Sequence, residues 1–170
     1  MSENVEIMWE GRFVTVKREG KWEYVSRSRG IRAAVILALD DGHVLLVEQY
    51  RVPLGKNCIE LPAGLVGDHD DNQNEDASIA AIRELEEETG YRAATMRNCG
   101  SYYSSPGMLS ENFWLFKASG LTKVSEGGGV DGENIIVHRV ALRELAKFFD
   151  QKRQADVGID AKLLLFLQPD

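Results

Sequence analysis

Three glutamates near the middle of the chain have the spacing of one helix face. Glu84, Glu87 and Glu88 stand at positions i, i+3 and i+4, and side chains with this spacing are neighbours on a helix. Like charges so close together repel one another and cost stability unless a cation or an arginine neutralises them. An ordinary solvated acidic face has this pattern. So does a site for hard divalent cations, which prefer carboxylate and carbonyl oxygens.

The acidic charge of the whole chain is concentrated around these glutamates. The 170 residues hold 20 Lys and Arg against 27 Asp and Glu, a formal net charge of −7. Residues 60–91 contain ten of the acids and a single base, Arg83, so this segment carries −9 and the other 138 residues carry +2. Because nucleic acids are bound through clustered Lys and Arg, this distribution argues against a nucleic-acid surface.

Composition also indicates the cellular compartment in which the protein is expected to reside. No apolar run reaches the roughly 18 residues that a membrane helix needs, and residues 1–10 lack the basic-then-apolar order of a signal peptide. Cys58 and Cys99 are too few for a disulfide framework or a zinc site by themselves. We therefore expect a cytoplasmic protein that binds neither a membrane nor nucleic acid.

The carboxylates need a helix to carry them, and the sequence predicts one over Asp76 to Thr89. This segment is rich in Ala, Glu, Leu and Ile, and Gly90 stands where helices commonly end. Ile82 and Leu85 are expected to attach the helix to a core.

Strand-like segments surround this helix, with an Asp-Gly turn inside one hairpin. The predicted strands are residues 12–17, 21–26, 33–39, 44–47, 113–118 and 135–140, and the other predicted helices are 142–149 and 159–167. This order predicts a mixed α/β (α+β) architecture rather than a regular βαβ alternation. We expect residues 1–30 to form a small β appendage and residues 31–170 to form the main domain.

The segment Arg83 to Tyr91 resembles the Nudix box, which has the order Arg-Glu-aliphatic-x-Glu-Glu-x-Gly-aliphatic. Glu75 precedes Arg83 by the seven intervening residues that the motif requires. Leu61 to Leu65 resembles the usual entry to the box, but ten residues rather than five separate Gly64 from Glu75. We interpret the excess as an insertion of about five residues within His69 to Asn74. The resemblance implies the Nudix fold, a mixed β-sheet between helices.

The same resemblance implies a site for Mg²⁺ or Mn²⁺, with two or three ions. Glu84 and Glu88 are the expected metal ligands, Glu87 completes the cluster by ligation or through water, and the carbonyl of Ala63 contributes. Glu75 and Arg83 are expected to hold the loop to the helix, and Gly90 to end the helix.

Further segments resemble the ADP-ribose pyrophosphatase branch of this family. Pro106, in Ser105-Pro106-Gly107, follows Gly90 by sixteen residues, and Glu48 to Arg51 is similar to a segment that contacts substrate in that branch. The resemblance implies metal-dependent hydrolysis of a nucleoside diphosphate derivative, with ADP-ribose giving AMP and ribose 5-phosphate. Arg51, Gly64 and Pro106 are the expected substrate contacts. A surface salt bridge is the alternative role of Arg51.

The water that attacks phosphorus needs a positioning group, for which the resemblance points to an acid before a late strand. Glu133 is our first choice, with Asp131 and Glu126 behind it and Glu87 contributing to catalysis. The glycine-rich approach, residues 125–132, is expected to be flexible and could close after substrate binds.

Two alternative functions remain at this point, a nucleotide-sugar pyrophosphatase acting for example on GDP-mannose, and a non-catalytic module that senses ADP-ribose. The resemblance also implies a homodimer formed through the amino-terminal strands. Four aromatic side chains there could contact adenine or could simply be packed inside the chain: Trp9, Phe13, Trp22 and Tyr24.

Overall fold

A computed structural model describes residues 4–28, 31–67, 76–130 and 132–166. It contains eleven strands in the described ranges: β1 Glu6–Glu10, β2 Val14–Glu19, β3 Trp22–Arg27, β4 Arg32–Asp40, β5 His43–Arg51, β6 Lys56–Glu60, β7 Ala63–Val66, β8 Tyr91–Tyr103, β9 Asn112–Lys123, β10 Ile136–Ala141 and β11 Gly158–Ile159. The α-helices are α1 Ala77–Thr89 and α2 Leu145–Gln154, and short 3-10 helices cover Val52–Leu54, Leu142–Glu144 and Ala161–Phe166. Within these ranges no helix is long and apolar enough to cross a bilayer.

The main sheet has the strand order β11-β6-β5-β4-β9-β8, with β10 paired to β5 and β7 paired to β4. The β4–β9 and β11–β6 pairs are parallel, and the others in this sheet are antiparallel. The sheet is therefore mixed, as predicted. Helix α1 contacts β4, β7 and β8, whereas α2 contacts β10 and β11.

Two hydrophobic cores lie on opposite faces of β4. Val35 belongs to the core beneath α2, while Ala34 and Ile36 belong to the core beneath α1, because successive side chains of a strand point to opposite faces. This explains why residues 33–39 form an almost unbroken apolar run, as a strand covered on both sides does. The expected arrangement of a mixed sheet between helices is confirmed.

The amino-terminal strands β1, β2 and β3 form a separate antiparallel sheet. Its contact with the main domain includes main-chain bonds of β3, since the Val25 N–H donates to Met108 O and the Ser110 N–H donates to Val25 O, each at 3.0 Å. Trp9, Phe13 and Trp22 are 57%, 60% and 64% exposed, so packing within the chain is the wrong interpretation of these three aromatics. The division of the chain at residue 30 stays a prediction.

The predicted helix over 159–167 begins later than expected and is of the 3-10 type. Ile159 instead pairs in parallel with Ile59 of β6, and a 3-10 helix follows from Ala161 to Phe166. The Asp160 carboxylate accepts a hydrogen bond of 2.7 Å from the Lys162 N–H at the start of that turn. Pairing with a sequence-distant strand and this local bond override the helical periodicity of the segment.

Candidate active site

Capping residues fix both ends of helix α1. The Asp76 side chain accepts a hydrogen bond of 2.7 Å from the Ser78 N–H, as an N-cap does. Gly90 takes a left-handed conformation with φ 73°, and its N–H donates to Glu86 O. Leu85 is buried in the core as expected, but Ile82 is 47% exposed, so its predicted packing is wrong.

The carboxylates of Glu84 and Glu88 face the protein rather than solvent. Glu88 is 4% exposed, and the Glu84 side chain is 15% exposed. The Ala63 N–H donates a 3.0 Å hydrogen bond to Glu88 Oε2. An ordinary solvated acidic face is therefore ruled out for these two residues.

Burial raises the pKa of Glu88 to about 8, although the Ala63 N–H favours its charged form. The negative charges of Glu84 and Glu133 raise it further, and Arg51 opposes them. Buried carboxylates that destabilise one another in this way need a positive charge to remain ionised together.

Strand β7 brings Gly64 against Glu84. A Cβ atom added to Gly64 would stand 1.9 Å from Cδ of Glu84, so only glycine fits at this position with the carboxylate where it is. Ala63, the first residue of β7, pairs with Val35 of β4. The register of this pair sets the approach of the loop to the helix.

Arg83 forms ion pairs with two glutamates of the same helix, Glu84 and Glu87. Its Nη1 lies 2.9 Å from Glu84 Oε1 and 3.1 Å from Glu87 Oε2. Glu87 is thus turned towards Arg83, with about a third of its side chain exposed. The predicted partner Glu75, together with the lengthened loop His69 to Asn74, lies outside the described residues.

The glycine-rich segment is docked on the end of α1 rather than projecting from it. The Gly128 N–H donates to Glu88 O at 2.9 Å, and the Gly129 N–H donates to Glu87 O at 3.1 Å. A Cβ on Gly127 would stand 2.4 Å from the carbonyl carbon of Thr89. Composition alone suggested flexibility, and nothing local in the sequence indicated this long-range docking.

Docking of the glycine-rich segment brings Glu133 close enough to Glu88 for the two charges to interact. Glu133 Oε2 accepts a 3.0 Å hydrogen bond from the Val130 N–H, and its charge raises the pKa of Glu88. Glu126 instead lies 3.0 Å from Lys123 Nζ with its side chain 94% exposed. Asp131 lies outside the described residues. Of the two described acids, Glu133 is the one near Glu88.

Arg51 is held by Glu60, a residue to which sequence reasoning gave no role. Arg51 Nε and Nη2 donate to the two carboxylate oxygens of Glu60 at 2.6 and 2.8 Å. These bonds raise the pKa of Arg51, and the charge of Glu88 adds to them. The salt-bridge alternative is thus present in the structure, within electrostatic reach of the carboxylate cluster. The register of β5 on β6 could have suggested the pairing.

Pro106 lies on an exposed turn in which the Met108 and Leu109 N–H groups both donate to Ser105 O. The next residues of this turn bond to Val25 of β3. The structure therefore connects Pro106 to the amino-terminal sheet, and its role as a substrate contact stays a prediction.

The residues present fit a hard divalent cation by their chemistry. Glu84 and Glu88 offer carboxylate oxygens at one place, and repulsion between them is what a cation would relieve. In the described ranges no group of three or more His, Cys, Asp or Glu side chains is arranged as a ready metal cage. The fit therefore depends on these two carboxylates.

Comparison with known proteins places this chain in a family. The model of the NUDIX domain matches residues 28–157. A solved structure of an ADP compounds hydrolase superimposes with a TM-score of 0.67 over 86% of this chain and 82% of that chain. At 22% identity, this likeness shows the fold alone.

Curated relatives carry several descriptions. A "Methanol dehydrogenase activator" of Bacillus methanolicus is 36% identical and an "ADP-ribose pyrophosphatase" of Bacillus subtilis (strain 168) is 32% identical, each over 124 residues. This chain covers 64% of the length of each, and 72% of this chain is aligned. A "GDP-mannose pyrophosphatase" of Cronobacter sakazakii (strain ATCC BAA-894) is 31% identical, with 99% of this chain and 89% of the relative covered. The chain belongs to the Nudix family.

Proposed function

We propose that this protein hydrolyses the diphosphate linkage of a nucleoside diphosphate derivative, with ADP-ribose and water giving AMP and ribose 5-phosphate. The observation that carries the proposal is the convergence of the buried Glu88 and the partly buried Glu84 of α1 with the Ala63–Gly64 strand and Glu133. The relative described as an ADP-ribose pyrophosphatase supports this choice of substrate.

We assign Glu84, Glu88 and the Ala63 carbonyl as ligands of Mg²⁺ or Mn²⁺, with Glu87 as a further ligand. The site would hold two or three of these ions. When bound, such cations screen the carboxylates from the substrate phosphates and stabilise charge that develops on phosphorus. Gly64 leaves space for the Glu84 carboxylate, and Ala63 holds Glu88 through its N–H.

Glu133 positions the attacking water and accepts its proton. The oxygen–phosphorus bond to water forms as the bridging oxygen–phosphorus bond breaks, and the leaving phosphate takes up a proton. The Val130 N–H keeps one oxygen of Glu133 in place, so the other is available to water. Arg51, oriented by Glu60, contacts the substrate with its remaining N–H groups.

A substrate panel tests the proposal. The full chain is incubated with Mg²⁺ and ADP-ribose, ADP-glucose, GDP-mannose, NADH or diadenosine polyphosphates, and the products are identified. We expect AMP and ribose 5-phosphate from ADP-ribose at the highest kcat/KM. Saturable binding of ADP-ribose without turnover of any compound would overturn hydrolysis and establish the sensing module instead.

GDP-mannose is the second candidate substrate. The relative described as a GDP-mannose pyrophosphatase aligns with 99% of this chain, including the amino-terminal strands. A kcat/KM for GDP-mannose above that for ADP-ribose would establish this alternative while leaving the reaction type intact.

The choice of Glu133 is tested against Glu126. Glu133→Gln is expected to lower kcat about 100-fold, within the range of general base catalysis, with little change in metal affinity. Glu126→Gln is the matched variant on the same segment, paired with Lys123. A larger kcat loss in Glu126→Gln than in Glu133→Gln would transfer the role to Glu126, and a loss of metal affinity in Glu133→Gln would make that residue a ligand.

We further propose a cytoplasmic homodimer formed through the amino-terminal strands. The exposed aromatics of this sheet support a second copy as its occupant, and two free cysteines suit a reducing compartment. Sedimentation of the full chain is expected to give a dimer that Trp9→Ser and Trp22→Ser weaken. A monomer at all concentrations would contradict the proposal.

A further inference from the structure

A cavity of about 550 Å³ separates the amino-terminal sheet from the main domain. Residues of β1, β2 and β3 form one wall, and Arg32 with residues 110–112 forms the other. This volume is typical of pockets that hold small molecules. The described residues that line it do not include Glu84, Glu88 or Glu133, so the cavity is separate from the metal-facing carboxylates.

Ser26 supplies a buried hydroxyl that has no partner among the described residues. It is 8% exposed, lines the cavity, and its Oγ forms no hydrogen bond. The two other hydroxyls on this wall are satisfied, since Thr15 Oγ1 and Ser28 Oγ lie 3.3 Å apart and Ser28 Oγ donates to Gly11 O. An unpaired buried hydroxyl costs free energy, and a ligand in the cavity could satisfy it.

Two cations line the same cavity, one in the amino-terminal sheet and one at the start of β4, where Arg32 also borders a second cavity. Lys17 on β2 and Arg32 at the start of β4 both line it, and neither has an ion-pair partner within the described part of the chain. Arg27, by contrast, is paired with Glu111. An ammonium group and a guanidinium on either side of a small cavity suit a phosphate group.

The remaining lining groups suit hydroxyls rather than a second anion. Glu10 contributes a carboxylate that forms no ion pair with the described residues, and Ser110 and Asn112 add polar side chains opposite Ser26. A carboxylate accepts hydrogen bonds from hydroxyls but repels phosphate. The cavity therefore combines a cationic pair with a carboxylate and neutral polar groups.

We propose that this cavity binds a phosphorylated sugar, with Lys17 and Arg32 on the phosphate and Glu10 and Ser26 on the hydroxyls. Such a group has two sources, a free sugar phosphate or the far half of an intact nucleoside diphosphate sugar. Arg32 pairs with Val66 in β7, three residues from Ala63, which is about 10 Å along a strand. The proposal depends on the proposed function only for the choice of ribose 5-phosphate as probe.

Calorimetry of the full chain in EDTA tests the binding without turnover. We expect ribose 5-phosphate to bind saturably and at least about tenfold more tightly than inorganic phosphate or ribose, because each of those offers only part of the matched set. Lys17→Gln and Arg32→Gln should each weaken it about tenfold, and Lys21→Gln, an exposed lysine outside the cavity, should not. No saturable binding, or equal affinities in Arg32→Gln and the wild type, overturns the proposal.

Ser26→Ala separates binding from folding. Removing an unpaired buried hydroxyl should leave the melting temperature of the free protein equal or higher, while the affinity for ribose 5-phosphate falls several-fold. A lower melting temperature with unchanged affinity would show that the hydroxyl serves the fold and would contradict its assigned role.

Competition identifies the source of the phosphate. If ADP-ribose displaces ribose 5-phosphate in EDTA and Arg32→Gln weakens both, the cavity receives the far half of the intact compound. If ribose 5-phosphate binds without competition, the ligand is a free sugar phosphate. Loss of its binding in Glu88→Gln would place it at the carboxylates and overturn the proposal. Because no step needs hydrolysis, failure of the substrate panel would leave this result independent.

Discussion

The Cα atom of Gly64 and the carboxylate of Glu84 are in such close approach that no side chain fits between them. A Cβ on Gly64 would lie 1.9 Å from Cδ and 2.2 Å from Cγ and Oε1 of Glu84. These contacts involve a strand of the main sheet and a helix packed on it, so either the carboxylate or the strand would have to move. This relationship gives the first of four predictions.

Gly64→Ala is expected to displace Glu84 and lower kcat/KM about 100-fold, since a misplacement of about 1 Å in an active site costs that much. Steady-state kinetics with Mg²⁺ titrations measure the loss. Gly42→Ala is the control, because nothing lies within 4 Å of its added Cβ although its φ is 67°. It should lose about 1–2 kcal/mol of stability from backbone strain and keep its turnover. Full activity of Gly64→Ala would contradict the close approach.

Glu88→Gln should abolish stabilisation by metal without unfolding the protein. The substitution replaces a buried carboxyl whose charged form is disfavoured by burial and by neighbouring carboxylates, so the melting temperature in EDTA should not fall. The rise on adding Mg²⁺, expected for the wild type because only the folded state holds the site, should disappear along with most of the rate.

Glu86→Gln provides the comparison on the same helix. Glu86 forms an ion pair with Arg92 instead, in which Glu86 Oε1 lies 2.9 Å from Arg92 Nη2. Equal Mg²⁺ shifts in Glu88→Gln and the wild type would exclude Glu88 as a ligand.

Gly127→Ala is expected to lower kcat about 10- to 100-fold while metal affinity changes little. The added Cβ would stand 2.4 Å from the Thr89 carbonyl carbon and 2.6 Å from the Gly90 nitrogen, which forces the docked segment away from α1 and carries Glu133 with it. Kinetics and calorimetric Mg²⁺ titration separate the two effects.

Gly132→Ala tests the same segment without a clash, because nothing lies within 4 Å of its Cβ. Its kcat loss should be the smaller of the two. The reverse order would argue against docking on the helix as the device that positions Glu133.

Glu48 should make the fold sensitive to acid. It is 5% exposed and accepts hydrogen bonds from Lys152 Nζ, Asn57 Nδ2 and His138 Nε2 at 2.6, 3.0 and 2.9 Å. Burial alone would raise the pKa of Glu48, but these bonds lower it to about 2 from 4.5. Because the folded pKa lies below the ordinary value, the stabilisation is complete above about pH 4.5 and is lost as the pH falls towards 2.

Denaturant unfolding between pH 7 and pH 2 measures this effect. The wild type should lose about 3 kcal/mol more than Glu48→Gln over the acid range. Glu126→Gln, at an exposed carboxylate, should follow the wild type. Parallel curves for the wild type and Glu48→Gln would contradict the proposed effect of the buried network.

Local features were predictable where the determining contacts lie within a few residues. Asp76 and Gly90 mark the two ends of α1, through hydrogen bonds with Ser78 and Glu86 respectively. The Asp-Gly turn joins β4 to β5. Prediction failed where distant partners decide. An amphipathic helix was expected from Ile159, but Ile159 pairs with β6 instead and the helix that follows, Ala161–Phe166, is of the 3-10 type. Strand β6 itself gave little signal, being short and of mixed polarity.

The sequence by itself determined the carboxylate spacing on α1, the family resemblance and the mixed fold class, because each depends on residues close together in the chain. Only the tertiary structure decided that Glu88 is buried against Ala63, that Glu84 requires Gly64, and that Arg51 is bound by Glu60. The physical reason is that burial and electrostatic environment belong to pairs of elements brought together by strand register and helix packing. A row of glutamates acquires its chemistry only when a particular strand and loop are placed against it.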